Sequence, residues 1–553
     1  MGKIFTAALL LMMMILTGCG SDNSAKNKKN DTLNVMLHAN ALSLDTAQAI
    51  DVMSFEVISY CIDGLMQVDA DDKTVPAIAK SYDVSADGKT YTFHLRDAKW
   101  ANGAPVTAND FVFAWRRYCQ KAGEYSYMFG STVACVKNAD AVIKGADPKT
   151  LGVTAPDSKT LVVELDTPVP IFLSMMSFPP FYPINEKFYN SIEDGKYGTS
   201  PETFLSNGAF ELTEYLPDTE KIKLKKNNSY WDAESVSLEN LHCQFVDSSD
   251  NALIAFRNGT LNVANISGTQ AEHVKKDPAF YKNLQTFSDG ALTYLSFNQD
   301  PKNHHAGTLT NVNLRLAVSN AIDRESLAEN YVMAGAKSTY TAIPVDFAPN
   351  VKTGKFFSVD QKKFSNYVNF NVTAAQEFLQ RAKTELGRDN FELNLIYSKT
   401  NGEIIIKVAQ AVKAQVEENL PGVTINLQPM PKAEYLNNYR SNNYDIALVS
   451  WVPDYNDPMA FLMIWTTESC INAEHWSNAD YDKIVADCMK GDLATNYDAR
   501  WNAMYNAEKI LLENAVIAPL YTETNVVLIS PNVTGIEFHS AGINRVFKHV
   551  RLK

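Results

Sequence analysis

Positive charge is in short supply in this chain of 553 residues. It carries 50 Lys and Arg against 63 Asp and Glu, a formal net charge of −13, and the short stretch from Lys26 to Lys29 is no broad basic surface. Nucleic acids are bound through clustered positive charge, so we exclude a nucleic-acid partner. Because 46% of the residues are hydrophobic, the chain can bury real cores, and its length predicts two to four domains.

Signatures of catalysis are missing as well. The chain contains no G-x-x-x-x-G-K-[ST], no G-x-S-x-G and no H-E-x-x-H motif, and Gly88-Lys89-Thr90 lacks the upstream glycine of a phosphate-binding loop. These absences disfavour nucleotide hydrolysis, ester chemistry of the α/β-hydrolase type and zincin proteolysis. We predict a protein that is not an enzyme and that needs no cofactor.

A metal site is not predicted either. His304 and His305 are adjacent, but neighbouring side chains point apart in most backbone conformations, and no spaced carboxylate or cysteine completes a ligand set. The segment 454–457 suggests calcium only superficially, because Ala460 and Phe461 stand where an EF-hand needs further oxygen ligands and glycine. We interpret the two histidines as part of a solvated loop.

Long apolar runs are confined to the N-terminus. Lys3 precedes an uncharged run, residues 4–17, that is too short for the roughly 20 apolar residues of a bilayer-spanning helix, so we predict a signal peptide over residues 1–18. The run ends in Leu16-Thr17-Gly18-Cys19, which resembles the bacterial lipobox, where cleavage precedes the cysteine and its thiol takes a diacylglyceryl group. The alternative is an ordinary secreted protein in which Cys19 merely lies near the cleavage site.

The residues that follow Cys19 are polar and contain no large apolar side chain. We therefore expect residues 19–31 to form a lipidated, flexible tether. No later stretch is apolar for long enough to span a bilayer. We expect an extracytoplasmic body attached to a bacterial cell membrane through the lipid alone, on the cell surface or the periplasmic side.

Cysteine is sparse and even in number once Cys19 is set aside. Six cysteines remain, and an exported protein meets an oxidising compartment, so disulfides are expected. The short-range pairs Cys119 with Cys135 and Cys470 with Cys488 are the best candidates, although the sequence leaves the connectivity open. There is no C-x-x-C pair of the kind that redox motifs and zinc knuckles use.

Strand and helix periodicities alternate along the body, which predicts a mixed α/β fold in more than one lobe. Thr107 is a good N-cap, with Asp110 at the third helical position, and no fixed-period repeat points to a solenoid or propeller. The predicted strands include 32–37, 91–96, 160–165, 392–396 and 445–449, and the predicted helices include 54–63, 313–333 with a break near Asp323, 374–386, 404–417 and 501–512.

The segment 444–458 is the most suggestive in the body. A strand runs into Ser450-Trp451-Val452-Pro453-Asp454, so an aromatic ring and a free carboxylate meet at a strand end, where ligands usually bind in open α/β lobes. Asp454 could pair with a ligand ammonium, and Trp451 could offer an apolar wall or a cation–π surface. A turn in which Asp454 bonds its own backbone is the alternative.

Several stretches, in order, resemble the periplasmic or lipid-anchored oligopeptide- and dipeptide-binding proteins of ABC importers, the large family 5 bacterial solute-binding proteins. The resemblance runs from about Leu33 to the C-terminus. It is carried by Ala79-Lys80-Ser81-Tyr82, by Thr90-Tyr91-Thr92-Phe93-His94-Leu95 through Trp100-Ala101-Asn102-Gly103 to Trp115, by Ser206-Asn207-Gly208-Ala209-Phe210, Tyr230-Trp231, Val312-Asn313-Leu314-Arg315 and Ala321-Ile322-Asp323-Arg324, and by the segment 451–458.

This resemblance implies a two-lobed periplasmic-binding-protein fold of the large type, with an additional domain and a hinge that closes the lobes around ligand. The implied ranges are a discontinuous lobe I (32–62, 188–290 and 523–553), an additional domain II (63–187) and a lobe III (291–522). It also implies a monomeric receptor that delivers peptides, oligopeptides above all, to the transmembrane subunits of an ABC permease.

Site residues follow from the same resemblance. Asp454 would pair with the α-ammonium of the peptide, next to Trp451 and Tyr455, and peptide backbone would pair near Ser450–Val452 and Ile50–Met53. Tyr125 and Tyr127 fall where family members place a cavity tyrosine, although plain packing is equally compatible. The sequence departs from the family pattern at three positions. Leu448 replaces an arginine that helps to hold the ligand carboxylate in some members, and Ile50, with Asp51 next to it, replaces a glutamate. Arg440 lies near another family arginine but out of register.

Two other readings remain open at this point. The same receptor could take a sugar, an opine or a metal chelate, since one fold serves several ligand classes. A surface hydrolase is the other alternative, but no nucleophile beside a positioned base is found in the sequence.

Overall fold

The computed structural model describes residues 31–553 apart from residues 38, 217–220, 303–306, 351 and 360–364. The predicted signal peptide, Cys19, the tether except Asp31, and the pair His304-His305 lie outside the described residues. No helix in the described part of the chain is long and apolar enough to cross a membrane.

A seven-stranded sheet gathers strands from distant parts of the sequence. Its central strand, Thr32–Leu37, runs parallel to Asn240–Phe245 and also pairs with Val263–Ile266. In spatial order, the described strands are Leu284–Phe287, Asn525–Ile529, Val263–Ile266, Thr32–Leu37, Asn240–Phe245, Lys221–Lys226 and Phe210–Leu216. The predicted strand at 32–37 is confirmed.

A six-stranded sheet is the second large sheet of the described chain. Its described strands, in spatial order, are Lys337–Ser338, Ile517–Thr522, Leu292–Phe297, Ile446–Trp451, Phe391–Ser398 and Val423–Met430. We call Ile446–Trp451 the site strand. It pairs along its whole length with Leu292–Phe297, but Phe391–Ser398 pairs only with its first two residues, Ile446 and Ala447.

A four-stranded antiparallel sheet and three small hairpins complete the described strands. The sheet contains Ala79–Val84, Thr90–Leu95, Thr160–Glu164 and Val153–Asp157, and the hairpins join Met66–Val68 to Thr74–Pro76, Val533–Thr534 to Arg551–Leu552, and Glu537–Phe538 to Arg545–Val546. The strands of each large sheet fall within one of the three ranges expected for the lobes and the additional domain. The exact boundaries of those ranges remain a prediction.

Helices pack on these sheets. Their bounds are Val52–Cys61, Ala108–Lys121, Ala139–Ile143, Phe172–Met175, Glu186–Tyr189, Ser249–Arg257, Gly268–Lys276, Val312–Asn320, Arg324–Leu327, Ser365–Val368, Val372–Leu386, Glu403–Asn419, Lys432–Arg440, Met459–Leu462, Ala479–Lys490 and Tyr497–Glu513, with a π-helical turn at Ala328–Val332.

Capping explains where these helices begin. The capping box of Thr107 and Asp110 is present, and the predicted break near Asp323 is confirmed because Asp323 caps a new turn by accepting from Ser326 N at 3.0 Å. The helices predicted at 374–386 and 501–512 start earlier than expected, since Asn371 and Asn496 are their N-caps. The mixed α/β prediction is confirmed.

The chain crosses between the seven- and six-stranded sheets twice, and the two crossings lie side by side. One joins Phe287 to Leu292 and the other joins Thr522 to Asn525. Asn525 donates a side-chain hydrogen bond of 2.9 Å to Asp289, which links the two crossings. These adjacent segments are where the predicted hinge would bend.

The cysteines correct the sequence prediction. All six described cysteines are free thiols, so the disulfides expected between Cys119 and Cys135 and between Cys470 and Cys488 are wrong. Cys488 is buried in a helix and its Sγ lies 3.7 Å from the carbonyl oxygen of Arg500, whereas Cys470 is exposed, so the two thiols have different surroundings. Burial raises the pKa of Cys488 to about 11.

Thiol titration tests this arrangement. In a chain carrying Cys19→Ser, the exposed Cys470 should react with Ellman's reagent in the native state, while the five buried thiols stay unreactive because burial raises their pKa values and blocks access. All six should react after unfolding in guanidinium without reductant. Release of only two or four equivalents from the unfolded chain would show that disulfides are present.

Candidate ligand-binding site

The loop that follows the site strand is held by an ion pair. Arg500 donates to both carboxylate oxygens of Asp457 at 2.7 and 2.8 Å, and its Nε donates to the carbonyl oxygen of Cys488 at 2.9 Å. Asp457 also accepts from the backbone N of Met459 at 2.9 Å. The guanidinium is thus fixed on three sides, and Asp457 is neutralised, so this carboxylate supports the loop.

Asp454 lies in the same loop but in a different electrostatic situation. It lines a cavity of about 530 Å3, and the hydroxyl of Tyr127 donates to its Oδ2 at 3.4 Å. Among the described residues, no cation forms an ion pair with it. Burial raises the pKa of Asp454 to about 7, and the Tyr127 hydrogen bond opposes that rise without cancelling it. The charged form of Asp454 therefore has no counter-charge in the described part of the protein, and a cationic group of a ligand could supply one.

Tyr125 and Tyr127 reach Asp454 from another part of the chain. Both follow the helix Ala108–Lys121, and their rings stack with centroids 6.0 Å apart. Phe55 and Phe178 surround Tyr125 at 5.1 and 6.0 Å. Burial, and next the charge of Asp454, raise the pKa of both tyrosine hydroxyls well above the usual value, so both stay protonated. The structure brings these two predicted residues to Asp454.

The site strand presents an open backbone edge. Beyond Ala447, no described strand pairs with the side of the site strand that faces Phe391–Ser398. The hydroxyl of Tyr435 donates to the carbonyl oxygen of Leu448 at 3.1 Å, and Ser450 is exposed and accepts from the Thr293 hydroxyl at 3.2 Å. Val452, partly buried, follows the strand end. Because Tyr435 occupies the Leu448 carbonyl, the backbone from Val449 to Trp451 is the part of this edge that remains available for pairing with an extended chain.

Trp451 and Leu448 are fixed by the protein itself. The indole N–H of Trp451 donates to the carbonyl oxygen of Ala460 at 3.1 Å, which fixes the half-buried ring, and Trp451 does not line the cavity. Leu448 is buried in the apolar core on the opposite face of the sheet, together with Leu295 and Leu520. The position where relatives are expected to carry an arginine thus contributes to packing.

Two predicted site residues have other partners. Asp51 caps the helix Val52–Cys61, accepting from Ser54 N at 2.8 Å and from the Ser54 hydroxyl at 2.6 Å. Arg440 pairs with Glu124 at 2.5 Å, and both side chains are about half exposed, at 53 and 41%. Neither lines the cavity, so the structure does not bring Arg440 to Asp454.

The cavity has further walls that the sequence did not indicate. Tyr455, which was predicted, lines it together with residues from distant parts of the chain: Tyr60, Gln67, Phe178, Phe210, Phe547 and Lys548. The C-terminal segment reaches the loop at Gly542, whose backbone N donates to the carbonyl oxygen of Pro453 at 2.9 Å with a positive φ of 67°. No periodicity or motif links such distant positions, so the sequence offered no signal for them.

Comparisons with known proteins agree over nearly the whole chain. The dipeptide-binding protein of Lactococcus lactis is 29% identical over an alignment of 569 positions, which covers 99% of this chain and 98% of that protein. The periplasmic murein peptide-binding protein MppA of Escherichia coli is 31% identical and covers 89% of this chain and 88% of its own. The solved structure of Listeria monocytogenes OppA bound to peptide matches with a TM-score of 0.82 at 30% identity, covering 95% of this chain and 99% of that one.

The predicted fold class is confirmed by these matches. In addition, the family model for bacterial extracellular solute-binding proteins, family 5 (middle region), matches residues 73–473. The chain therefore belongs to the family 5 bacterial extracellular solute-binding proteins.

Proposed function

We propose that this protein is the substrate-binding component of an ABC importer, and that it captures peptides outside the cytoplasmic membrane and delivers them to the permease. The observation that carries the proposal is a carboxylate without a counter-charge, Asp454, which lines a cavity and follows by three residues the end of a strand with an open edge. A free peptide supplies both complements: an α-ammonium for the carboxylate and an extended backbone for the edge.

The two complements act together. The α-ammonium pairs with Asp454, with the Tyr127 hydroxyl already donating to that carboxylate, and Tyr125 packs beside it. The peptide backbone adds to the site strand at Val449–Trp451 through main-chain hydrogen bonds, which carry no sequence preference. Support also comes from the relatives named above, whose names or titles describe binding of dipeptides, murein peptides or a peptide.

Membrane attachment is part of the proposal. The N-terminal export signal is removed, Cys19 carries the lipid, and residues 19–31 tether the monomeric body to the bacterial membrane. The body divides into lobe I (32–62, 188–290, 523–553), domain II (63–187) and lobe III (291–522), and the lobes close on the ligand about the two crossing segments at 287–292 and 522–525.

Removing the charge of Asp454 tests the ammonium site. Asp454→Asn should weaken binding of tri- to pentapeptides by about 100-fold, because a buried ammonium loses its counter-charge. Isothermal titration calorimetry measures the dissociation constants. Asp480→Asn removes the same charge from an exposed position in lobe III and should leave affinity unchanged.

N-acetylated peptides complete this test. They should bind the unmodified protein weakly, and Asp454→Asn should weaken them no further. If free-amine peptides bind the variant as tightly as the unmodified protein, the ammonium role is wrong. If sugars or metal chelates bind and no peptide does, the proposed ligand class is wrong.

The raised pKa of Asp454 predicts a pH dependence of binding. With a pKa of about 7 in the ligand-free protein, more of the carboxylate is charged as the pH rises, so affinity should increase about fivefold between about pH 6 and about pH 7.5. Above about pH 8 affinity should fall, because the free peptide's α-ammonium loses its proton. A flat profile from pH 6 to 7.5, or a rise that persists in Asp454→Asn, would contradict this assignment.

The lipid anchor is tested separately. Cells that express the full chain and are fed labelled palmitate should incorporate label into the protein, and Cys19→Ala should abolish it and release the protein from the membrane fraction. Labelling that survives the substitution would refute the anchor without affecting the peptide site.

A further inference from the structure

The segment 124–131 connects two parts of the chain that are far apart in sequence. It follows the helix Ala108–Lys121 and contains the 3₁₀-helical turn Ser126–Met128. Three of its polar contacts reach residues within 291–522, the range proposed for lobe III. We call this segment, residues 124–131, the clasp.

Two contacts of the clasp involve side chains that the sequence pointed to. The hydroxyl of Tyr127 donates to Asp454 at 3.4 Å, and three residues earlier Glu124 pairs with Arg440 at 2.5 Å. The side chains of Arg440 and Glu124 are 53 and 41% exposed, whereas Tyr127 and Asp454 are both partly buried. The ion pair is therefore the outer, solvated contact of the clasp, and the bond to Asp454 is the inner one.

A third contact comes from the helix Ala479–Lys490. The exposed ammonium of Lys490 donates to the carbonyl oxygen of Ser131 at 3.1 Å, and the carbonyl oxygen of Lys490 accepts from the hydroxyl of Thr167 at 2.8 Å. Thr167 belongs, like the clasp, to the range 63–187. Lys490 thus ties this range to lobe III through two hydrogen bonds.

The clasp is anchored in its own part of the chain. Phe129 is fully buried, and its ring centroid lies 5.8 Å from that of Trp115, 5.3 Å from that of Tyr118 and 4.4 Å from that of Phe181. Such close packing of large rings holds a segment in place. The clasp therefore belongs to domain II, and its polar contacts join that domain to a different unit.

These polar contacts are of a kind that can break and form again. The covalent chain joins the range 291–522 to the rest of the protein only at the two crossing segments. Contacts between exposed polar groups contribute little each, because water replaces a lost partner. The clasp can consequently release lobe III while its anchor around Phe129 stays intact.

We propose that the clasp closes over a bound peptide and that the ion pair of Glu124 with Arg440 is its latch, which sets how long the peptide stays bound. This proposal rests on the proposed peptide-binding function. A peptide whose ammonium is paired with Asp454 lies beside Tyr127, so it leaves after the clasp has released lobe III. Arg440 acts here as a positioning residue that does not touch the peptide.

Dissociation kinetics test the latch. Arg440→Gln and Glu124→Gln should each speed the dissociation of pentaalanine about threefold, because each removes a solvated ion pair, and should leave the association rate within about twofold. Surface plasmon resonance on the immobilised protein measures both rates. Arg381→Gln removes an exposed arginine from the helix Val372–Leu386 and should change neither rate.

A double-mutant cycle separates a latch from a direct ligand contact. The variant that combines Glu124→Gln with Arg440→Gln should release pentaalanine no faster than either single variant, because both remove the same pair. Exchange of the charges, Glu124→Arg with Arg440→Glu, should bring the rate back toward that of the unmodified protein. Additive single effects, or no rescue by the exchange, would refute the latch.

C-terminally amidated pentaalanine extends the test. A latch acts on the protein alone, so Arg440→Gln should speed release of the amide and of the free acid by the same factor. If the substitution affects the free acid alone, or if Glu124→Gln has no effect, Arg440 instead holds the ligand carboxylate and the latch is wrong.

The contact of Lys490 offers an independent check. Lys490→Met should also speed release of pentaalanine, because it removes the hydrogen bond to Ser131. Lys483→Met is the matched control from the same helix, since its ammonium pairs within the helix with Asp487 at 2.6 Å, and it should leave the rate unchanged. Equal effects of the two substitutions would contradict the proposal.

The outcomes separate this inference from the proposed function. If pentaalanine binds but no clasp variant changes its dissociation rate, the clasp assignment fails and peptide binding stands. If no peptide binds to the unmodified protein, the proposed function fails as well. Circular dichroism confirms that each variant is folded, and should one variant fail this check, the substitutions at the other two clasp contacts still decide the question.

Discussion

Burying a carboxylate costs free energy unless a cation or several hydrogen bonds offset the loss of water. Three buried carboxylates meet that constraint with arginine. Each pair joins segments that are separated in sequence, so the pairs also hold the architecture together: Asp45 with Arg117, Glu56 with Arg545, and Asp457 with Arg500. The last pair fixes the loop at the end of the site strand, and that loop carries Asp454.

Asp454 differs from these three carboxylates. It lies three residues before the neutralised Asp457, yet its partner is a tyrosine hydroxyl at 3.4 Å. Burial disfavours its charged form and raises its pKa to about 7. A cavity-lining carboxylate that lacks a protein cation is poised to bind a cationic ligand group, and the open edge of the strand before it suits an extended chain.

Much of the secondary structure could be predicted from residue patterns. The alternation in Thr32–Leu37, the capping box at Thr107 and Asp110, and the break at Asp323 are local signals, and the structure confirms each. Local patterns predicted less where the burial of a side chain determines its partners. The expected disulfides were inferred from spacing, but Cys488 is buried while Cys470 is exposed. Arg440 was suggested for the ligand site by the family resemblance, out of register with a family arginine, and it pairs with Glu124.

The sequence by itself determined the periodicities, the caps, the acidic balance and the strand end that carries Trp451 and Asp454, since these depend on neighbouring residues. Only the tertiary structure decided which charges are compensated. It placed Tyr127 against Asp454, 327 positions away, and Leu448 in the core. The reason is physical: desolvation and ion pairing depend on distance in space, which pairing of remote strands and packing of remote helices set, and no local pattern encodes them.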